Sequence, residues 1–233
     1  MRPTIIVKLN DTSGGKGDSA RTRLMRSLLG LHGFAAAGCD FIVVKSHSFG
    51  GEEWIKSECR RWGVRRLRLV SLGVEEHQSF CQALPEVREC VPSLEGPFLL
   101  DEGLQQINSA SLSVFTPRGD GWVACRRLTS RRDMRVLGER DYRLNRGHEL
   151  YDDLYTGLTG FRSMGEFERG LTEASLGAPE SVMGLDVIRG LVGLDAEVYA
   201  HDIPTLRVGG LYGVRSVQSS RKAPKEGLRL TGT

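Results

Sequence analysis

Residues 4–34 follow a strand, loop and helix pattern that constrains the fold more than any other feature of the sequence. Residues 4–9 (TIIVKL) are β-branched and compact, which is typical of a buried strand. A glycine loop follows at residues 11–18 (DTSGGKGD), and residues 19–31 place leucines on one helical face. A loop of this kind presents backbone N–H groups to an anion at a helix start. We therefore predict an anion-binding turn here.

The segments that follow alternate between strand-sized and helix-sized lengths. We predict strands over 40–47, 65–72 and 95–103, and helices over 50–63 and 75–84. Connections of helix length favour right-handed crossovers, and therefore a parallel sheet. Ligands of such sheets bind beyond the carboxyl ends of the strands, where the glycine loop and Asp101-Glu102 both fall.

In the second half of the chain, strand-sized and helix-sized segments no longer alternate regularly. We predict two strands within 109–128, a polar excursion over 130–150, a strand over 153–163, helices over 164–175 and 179–193, and a last strand over 196–203. The chain length of 233 residues suits one large α/β domain. We place this domain at residues 1–215, followed by a flexible C-terminal tail at 216–233.

Composition excludes several protein classes. Hydrophobic residues make up 39% of the chain and charged residues 26%, which is ordinary for a globular domain. No apolar run approaches the roughly 20 residues of a membrane span, and Arg2 and Lys8 interrupt the N-terminus too early for a signal peptide. We expect a cytoplasmic protein. The five cysteines include no CxxC pair, so we predict buried free thiols instead of a zinc or disulfide framework.

Arginine is unevenly distributed in a chain whose formal net charge is only +3. Residues 60–68 (RRWGVRRLR) and 126–135 (RRLTSRRDMR) form local basic clusters. Such clusters suit a nucleic acid, phosphate groups or an acidic protein partner. Solvated arginines on helix and strand faces are the alternative interpretation, because Trp62 is the single aromatic residue within the two stretches.

One candidate for the glycine loop is an ATP-pyrophosphatase site. Residues 13–19 (SGGKGDS) come close to the SGG-x-DS signature of that family, which binds the pyrophosphate of ATP at a helix start. Relative to that signature, Gly17 is an additional residue, and it moves Asp18 and Ser19 one position further along the chain. A shift of one residue changes which amides converge on each oxygen. This activity stays open as an alternative.

A longer resemblance covers most of residues 4–215. The sequence GGKG followed by ARTRLM resembles the N-terminal G-x-G-x-R-L signature of the sugar-phosphate nucleotidylyltransferases. Further along, GPFLLDEGL resembles the strand that delivers a metal-binding aspartate in that family. YTGLTGFRSMGEFERGL and ESVMGLDVIRGLVGLDAEVYAHDIP are similar to its later strands and helices, in the same order.

The resemblance implies a Rossmann-like three-layer α/β/α fold with a mainly parallel, partly mixed sheet. It implies a reaction in which a sugar phosphate attacks the α-phosphorus of a nucleoside triphosphate and pyrophosphate leaves, with Mg²⁺ as the cofactor. Carried over to this sequence, Lys16 and Arg23 would neutralise charge, Asp101 or Glu102 would hold the metal, and Glu180 would face the sugar. The triphosphate would lie on the segment formed by Ser13, Gly14, Gly15 and Gly17.

The sequence also departs from the family pattern. The carboxylates precede Gly103 instead of following a glycine, and Val208 stands where a second metal-binding aspartate is expected. Valine cannot bind Mg²⁺, which requires oxygen ligands. The Pro-Lys pair that should follow the N-terminal signature is missing. A catalytically degenerate scaffold or binding protein is therefore a second hypothesis, with the arginine clusters serving a protein or RNA partner.

Overall fold

The computed structural model describes residues 2–9, 20–46, 49–72, 80–102, 119–127, 143–144, 153–177, 182–202 and 228–230. Helices within these ranges are α1 (Ala20–Ala36), α2 (Glu52–Arg61), α3 (Phe80–Cys90), α4 (Met164–Gly177) and α5 (Gly184–Gly193). The strands are β1 (Thr4–Leu9), β2 (Asp40–Ser46), β3 (Arg66–Leu72), β4 (Phe98–Asp101), β5 (Gly121–Arg127), β6 (Arg143–Leu144), β7 (Asp153–Phe161), β8 (Val198–Asp202) and β9 (Leu228–Leu230).

All of these strands belong to one sheet. Its order is β3-β2-β1-β4-β7-β5-β8-β9, with β6 pairing beside β7. Strands β1 to β4 pair in parallel, as do β5 and β8, whereas β7 runs antiparallel to β4 and β5. The predicted fold class, a mainly parallel and partly mixed α/β sheet, is confirmed.

Helices cover both faces of the sheet, which gives three layers. Ile5, Val7 and Leu9 of β1 belong to one apolar cluster with α1 and α2, whereas Ile6 belongs to a second cluster with α3, α4 and α5. Strand β1 is thus buried on both sides, as its continuous apolar run predicts for a central parallel strand. The carboxyl ends of the parallel strands form one edge of the sheet, called here the carboxyl edge.

Helix α1 extends five residues beyond the predicted end at residue 31. Phe34 and Ala35 continue the buried face that Leu24, Leu28 and Leu31 begin, so the packing continues past the predicted boundary. Gly38 then ends the helix with a φ of 72°. The N–H of Cys39 donates to the carbonyl of Phe34 at 3.0 Å, which satisfies one of the last helical acceptors.

Helix α3 differs from its prediction at the C-terminal end. The sequence predicts an end at residue 84, and Pro85, a residue type that usually interrupts a helix, follows directly. The helix instead continues through Pro85 to Cys90. Leu84 and Val87 are both fully buried in the α3 side of the core. The free energy gained by burying these two side chains offsets the loss of the backbone hydrogen bond that Pro85 cannot donate.

Two short strands lie in segments for which we predicted no regular structure. β6 falls within the predicted excursion at 130–150, where it pairs with β7. β9 falls within the predicted tail at 216–233 and pairs antiparallel with β8. The domain boundary at residue 215 stays a prediction. Over the described ranges, none of the helices combines the length and apolarity that crossing a bilayer requires.

Helices α4 and α5 cross at a pair of glycines. A Cβ atom built on Gly170 would lie 2.5 Å from the carbonyl oxygen of Val187. A Cβ built on Gly190 would meet the carbonyl oxygen of Gly170. The two backbones therefore approach more closely than any other residue type at either position would allow.

Three of the cysteines have described side chains, and these confirm the prediction of buried free thiols. Cys39, Cys59 and Cys81 are all buried and unbridged. Burial, with a smaller contribution from the Glu58 carboxylate, raises the pKa of Cys59 to about 12. Burial also raises the pKa of Cys81. The folded protein therefore holds these thiols in their unreactive protonated form.

We expect Cys59 and Cys81 to react with iodoacetamide at pH 8 at least about 100-fold more slowly in the native protein than in urea. Burial excludes the reagent from both sulfur atoms and lowers the fraction of each thiol that is ionised. Peptide mass spectrometry over a labelling time course measures each site separately. Equal labelling rates with and without urea would show that this part of the core is open.

Candidate functional site

The acidic end of β4 lies beside the end of β1. Val7 is in register with Asp101 in the parallel β1–β4 pair. Two positions further along, Leu9, the residue at which β1 ends, therefore lies at the same edge of the sheet as Asp101.

Asp101 and Glu102 face opposite sides of the sheet. Asp101 is in register with Val7 and Leu158, which belong to the cluster on the α1 and α2 side. Oε2 of Glu102 accepts a hydrogen bond of 3.2 Å from the backbone N–H of Gly184, at the start of α5 on the other side. Both residues are buried, with exposed fractions of 4% and 6%. They cannot act as two adjacent ligands without rearrangement.

Glu102 has a structural function in this position. Its own N–H donates to the carbonyl of Gly157 at 2.8 Å, which extends the β4–β7 pairing by one residue. Its carboxylate meets the first N–H of α5, where a helix dipole favours negative charge. Glu102 thereby fixes the N-terminus of α5 at the carboxyl edge.

Sequence reasoning missed Lys45, a buried lysine at the same edge. Lys45 is in register with Leu9 and lies on the same side of the sheet as Asp101. Its side chain is only 5% exposed, and Nζ lies 3.3 Å from Oε1 of Glu52 and donates to the carbonyl of Phe49 at 3.0 Å. This lysine ties the end of β2 to the start of α2. The signal was a single lysine within the apolar run FIVVKS.

Lys8 is a second cation that sequence reasoning missed. It faces the α3 side of the sheet, and its Nζ lies 5.1 Å from the centre of the Phe80 ring. Burial raises the pKa of the neighbouring Cys81 most strongly, the Glu102 carboxylate raises it further, and Lys8 lowers it. Lys8 and Glu102 therefore share one electrostatic environment around Cys81.

Arg23 lies in the first turns of α1, at the end of the helix nearest the carboxyl edge, and it is half-buried. Its neighbour Arg21 places its guanidinium 5.5 Å from the centre of the Trp54 ring, which connects α1 to α2. The start of α1 is therefore held in place on the side of the sheet to which Asp101 points.

Six of the predicted site residues lie outside the described residues: Ser13, Gly14, Gly15, Lys16, Gly17 and Glu180. Their predicted functions stay predictions. The N–H of Gly184, the first residue of α5, donates to Glu102, so α5 begins at the carboxyl edge. In the parts of the chain that the structure covers, no three His, Cys, Asp or Glu side chains gather in a metal-binding group.

Comparison with known proteins identifies the fold. Neither protein-family models nor curated proteins match this sequence. Solved structures do: a nucleoside-diphosphate-sugar pyrophosphorylase from Vibrio cholerae superposes with a TM-score of 0.58 at 11% identity, covering 85% of this chain and 91% of that one. The chain has the same fold as this pyrophosphorylase.

Two further structures share the nucleotidyltransferase fold. A Bacillus anthracis protein, proposed to be a glucose-1-phosphate thymidylyltransferase and solved with sucrose, superposes with a TM-score of 0.57 at 9% identity over 87% of each chain. A 4-diphosphocytidyl-2C-methyl-D-erythritol synthase superposes with a TM-score of 0.53 at 13% identity, covering 88% of this chain and 90% of that one. The superpositions extend over most of each chain, so the likeness involves the whole fold.

Proposed function

We propose that this protein binds a nucleoside triphosphate at the carboxyl edge and transfers its nucleotidyl group to a sugar phosphate. The observation that carries the proposal is the position of Asp101, a buried carboxylate beside the strand end from which the glycine loop departs. The shared fold with nucleotidyltransferases and the N-terminal sequence resemblance support the same assignment.

The proposed reaction depends on positioning and charge neutralisation. An oxygen of the sugar phosphate attacks the α-phosphorus, the bond to the bridging β-phosphate oxygen breaks, and pyrophosphate leaves. The amides of Gly14, Gly15 and Gly17, with Ser13, hold the triphosphate, and Lys16 and Arg23 offset its negative charge. Glu180 orients the sugar.

Asp101 fits Mg²⁺ better than Glu102 does. Mg²⁺ prefers carboxylate oxygens and binds through one or two of them together with substrate phosphates. Glu102 already uses Oε2 to hold α5, whereas Asp101 points to the side of α1 and Arg23. Bound there, Mg²⁺ would neutralise charge on the phosphate oxygens.

A specific sequence observation favours a second candidate function. Val208 replaces the expected second metal-binding aspartate, so the chain would hold Mg²⁺ with one carboxylate fewer than the family pattern. A protein of this kind could keep nucleotide binding and lose transfer. It would then act as a nucleotide-dependent binding protein.

A pyrophosphate-release assay distinguishes the candidates. Each nucleoside triphosphate is incubated with Mg²⁺ and with or without a panel of hexose 1-phosphates. Release that requires the sugar phosphate supports nucleotidyl transfer, whereas release without it supports the pyrophosphatase alternative. Nucleotide binding without release supports the degenerate protein.

We expect Lys16→Ala and Arg23→Ala each to weaken nucleoside triphosphate binding by about 10- to 100-fold, since a hydrogen bond to a charged group contributes about 1.5–3 kcal/mol. Isothermal titration measures the effect. Lys56→Ala and Arg169→Ala are matched controls, because Lys56 and Arg169 pair with Glu53 and Glu166 on the surface at 2.8 and 2.7 Å. Unchanged affinity in Lys16→Ala and Arg23→Ala would contradict the assignment.

A further inference from the structure

The basic cluster at residues 60–68 lies at the opposite end of the sheet from the proposed nucleotide site. Its arginines lie on the C-terminal end of α2 and on the first residues of β3, where the strand enters the sheet. About six residues of strand separate that point from the carboxyl edge, roughly 20 Å at 3.3 Å per residue. Five of these side chains are exposed: Arg60, Arg61, Arg65, Arg66 and Arg68.

Strand β3 forms one border of the sheet. It occupies the first position in the strand order and pairs on its inner side with β2. Among the described strands, none pairs with its outer side. The backbone N–H and C=O groups along that side therefore face outward, where a further strand has partners available.

The side chains of β3 alternate between charged and apolar. Arg66 and Arg68 lie on one face, in register with Asp40 and Ile42 of β2. Leu67 and Leu69 lie on the other face, where they are half-buried against the cluster of α1 and α2. The first four residues of the strand thus alternate arginine and leucine, and the buried Val70 follows on the arginine face.

Two of these arginines lie near acidic side chains and nevertheless stay exposed. Arg66 lies 3.5 Å from Asp40 and Arg61 lies 3.9 Å from Glu58, but the two arginine side chains are 71% and 74% exposed. Ion pairs at such exposure contribute about 0–1 kcal/mol. Exposed guanidinium groups therefore lie along this border of the sheet.

We propose that the outer edge of β3 binds an acidic partner protein, whose extended segment adds a strand to the sheet. Backbone groups of the segment pair with β3, its acidic residues lie opposite Arg66 and Arg68, and its apolar residues lie opposite Leu67 and Leu69. A second copy of this chain is less complementary, because β3 (RLRLVSL) contains no acidic residue to lie opposite Arg66 and Arg68. Nucleic acid fits less well, because Trp62 beside the cluster is half-buried in the core and not available for stacking on bases.

The test uses a fluorescein-labelled octapeptide of alternating glutamate and valine, with fluorescence anisotropy as the readout on the full chain. A block peptide of four glutamates followed by four valines has the same charge but no alternation. A third peptide carries N-methyl groups at every second amide, which removes backbone donors along one side. A labelled poly-dT 20-mer tests nucleic acid.

We expect the alternating peptide to bind at least tenfold more tightly than the block and N-methylated peptides. The double variant R66A/R68A should weaken this binding at least tenfold. The variant R162A/R169A removes the same charge from the exposed surface of the β7–α4 region and should leave binding unchanged. Hydrogen exchange should show slower exchange of β3 amides in the complex.

Three outcomes would overturn the proposal. Equal binding of the alternating and block peptides would indicate general charge attraction without strand pairing. Binding of poly-dT alone would assign the cluster to nucleic acid. Binding of no probe would mean that the arginines protect the edge strand against unwanted pairing. None of these results depends on whether the carboxyl edge binds nucleotide.

Discussion

Asp101→Asn should reduce Mg²⁺-dependent pyrophosphate release by about 100-fold or more. Asparagine preserves the volume of the side chain and one acceptor oxygen, so the change removes the negative charge and little else. Removing one group that stabilises charge in the transition state of an enzyme typically costs about 10²–10³ in rate. Asp101 lies in a buried position beside the end of β1, where such charges act most strongly.

Glu102→Gln is the matched control for Asp101→Asn. Glutamine keeps the acceptor that binds the N–H of Gly184, so the start of α5 stays in place. We expect this variant to retain most of its activity. The opposite result, with Glu102→Gln inactive and Asp101→Asn active, would transfer the metal-binding function to Glu102. The melting temperature of each ligand-free variant shows whether it is folded.

Gly190→Ala should destabilise the protein by about 2–3 kcal/mol, because overpacking a well-packed site costs about 1–3 kcal/mol and the obstructing atom here belongs to the backbone of α4. A Cβ on Gly190 would collide with the carbonyl group of Gly170, and neither helix can rotate a backbone atom away. For a chain of this size, 2–3 kcal/mol corresponds to a decrease in melting temperature of roughly 5–10 °C. Calorimetry or urea titration measures the loss.

Gly193→Ala provides the control on the same helix. A Cβ at Gly193 would have no heavy atom within 4 Å, so the substitution adds no collision. Alanine favours helix over glycine by about 1 kcal/mol, so a neutral or slightly stabilising effect is expected. Equal melting temperatures for the two variants would show that α4 and α5 do not cross as closely as described.

The N-terminal half of the fold could be predicted closely from the sequence. β1 has the predicted bounds, β3 begins one residue later than predicted, and β2 agrees with its prediction up to residue 46, beyond which the predicted end lies outside the described residues. These strands are buried on both faces and separated by helix-length segments, so local pattern and global fold agree. Helix ends were less predictable. Helix α3 continues past Pro85 because Val87 packs into the core. Local helix propensity gives no information about that packing.

Hydrophobic periodicity predicts neither the strand pairing in the mixed part of the sheet nor the contacts of Lys8 and Lys45. The insertion of β7 between β4 and β5 is a long-range pairing that residue patterns do not predict, and the family resemblance implied only that the sheet is partly mixed. Lys45 lies in an apolar run, but its contacts are with Phe49 in the connection after β2 and with Glu52 at the start of α2. Which face each of Asp101 and Glu102 takes depends on where β4 ends. The sequence alone left that point open.

The central claim is that the carboxyl edge beside β1 and β4 binds a nucleoside triphosphate together with Mg²⁺. A thermal-shift screen with ATP, CTP, GTP and UTP, each with and without Mg²⁺, tests it most directly, because a ligand that binds only the folded state stabilises it. We predict that at least one nucleotide raises the melting temperature in the presence of Mg²⁺. At 100 times the dissociation constant, the stabilisation is about 2.7 kcal/mol, or roughly 5–10 °C. A flat response to all four nucleotides, with and without Mg²⁺, would contradict the claim.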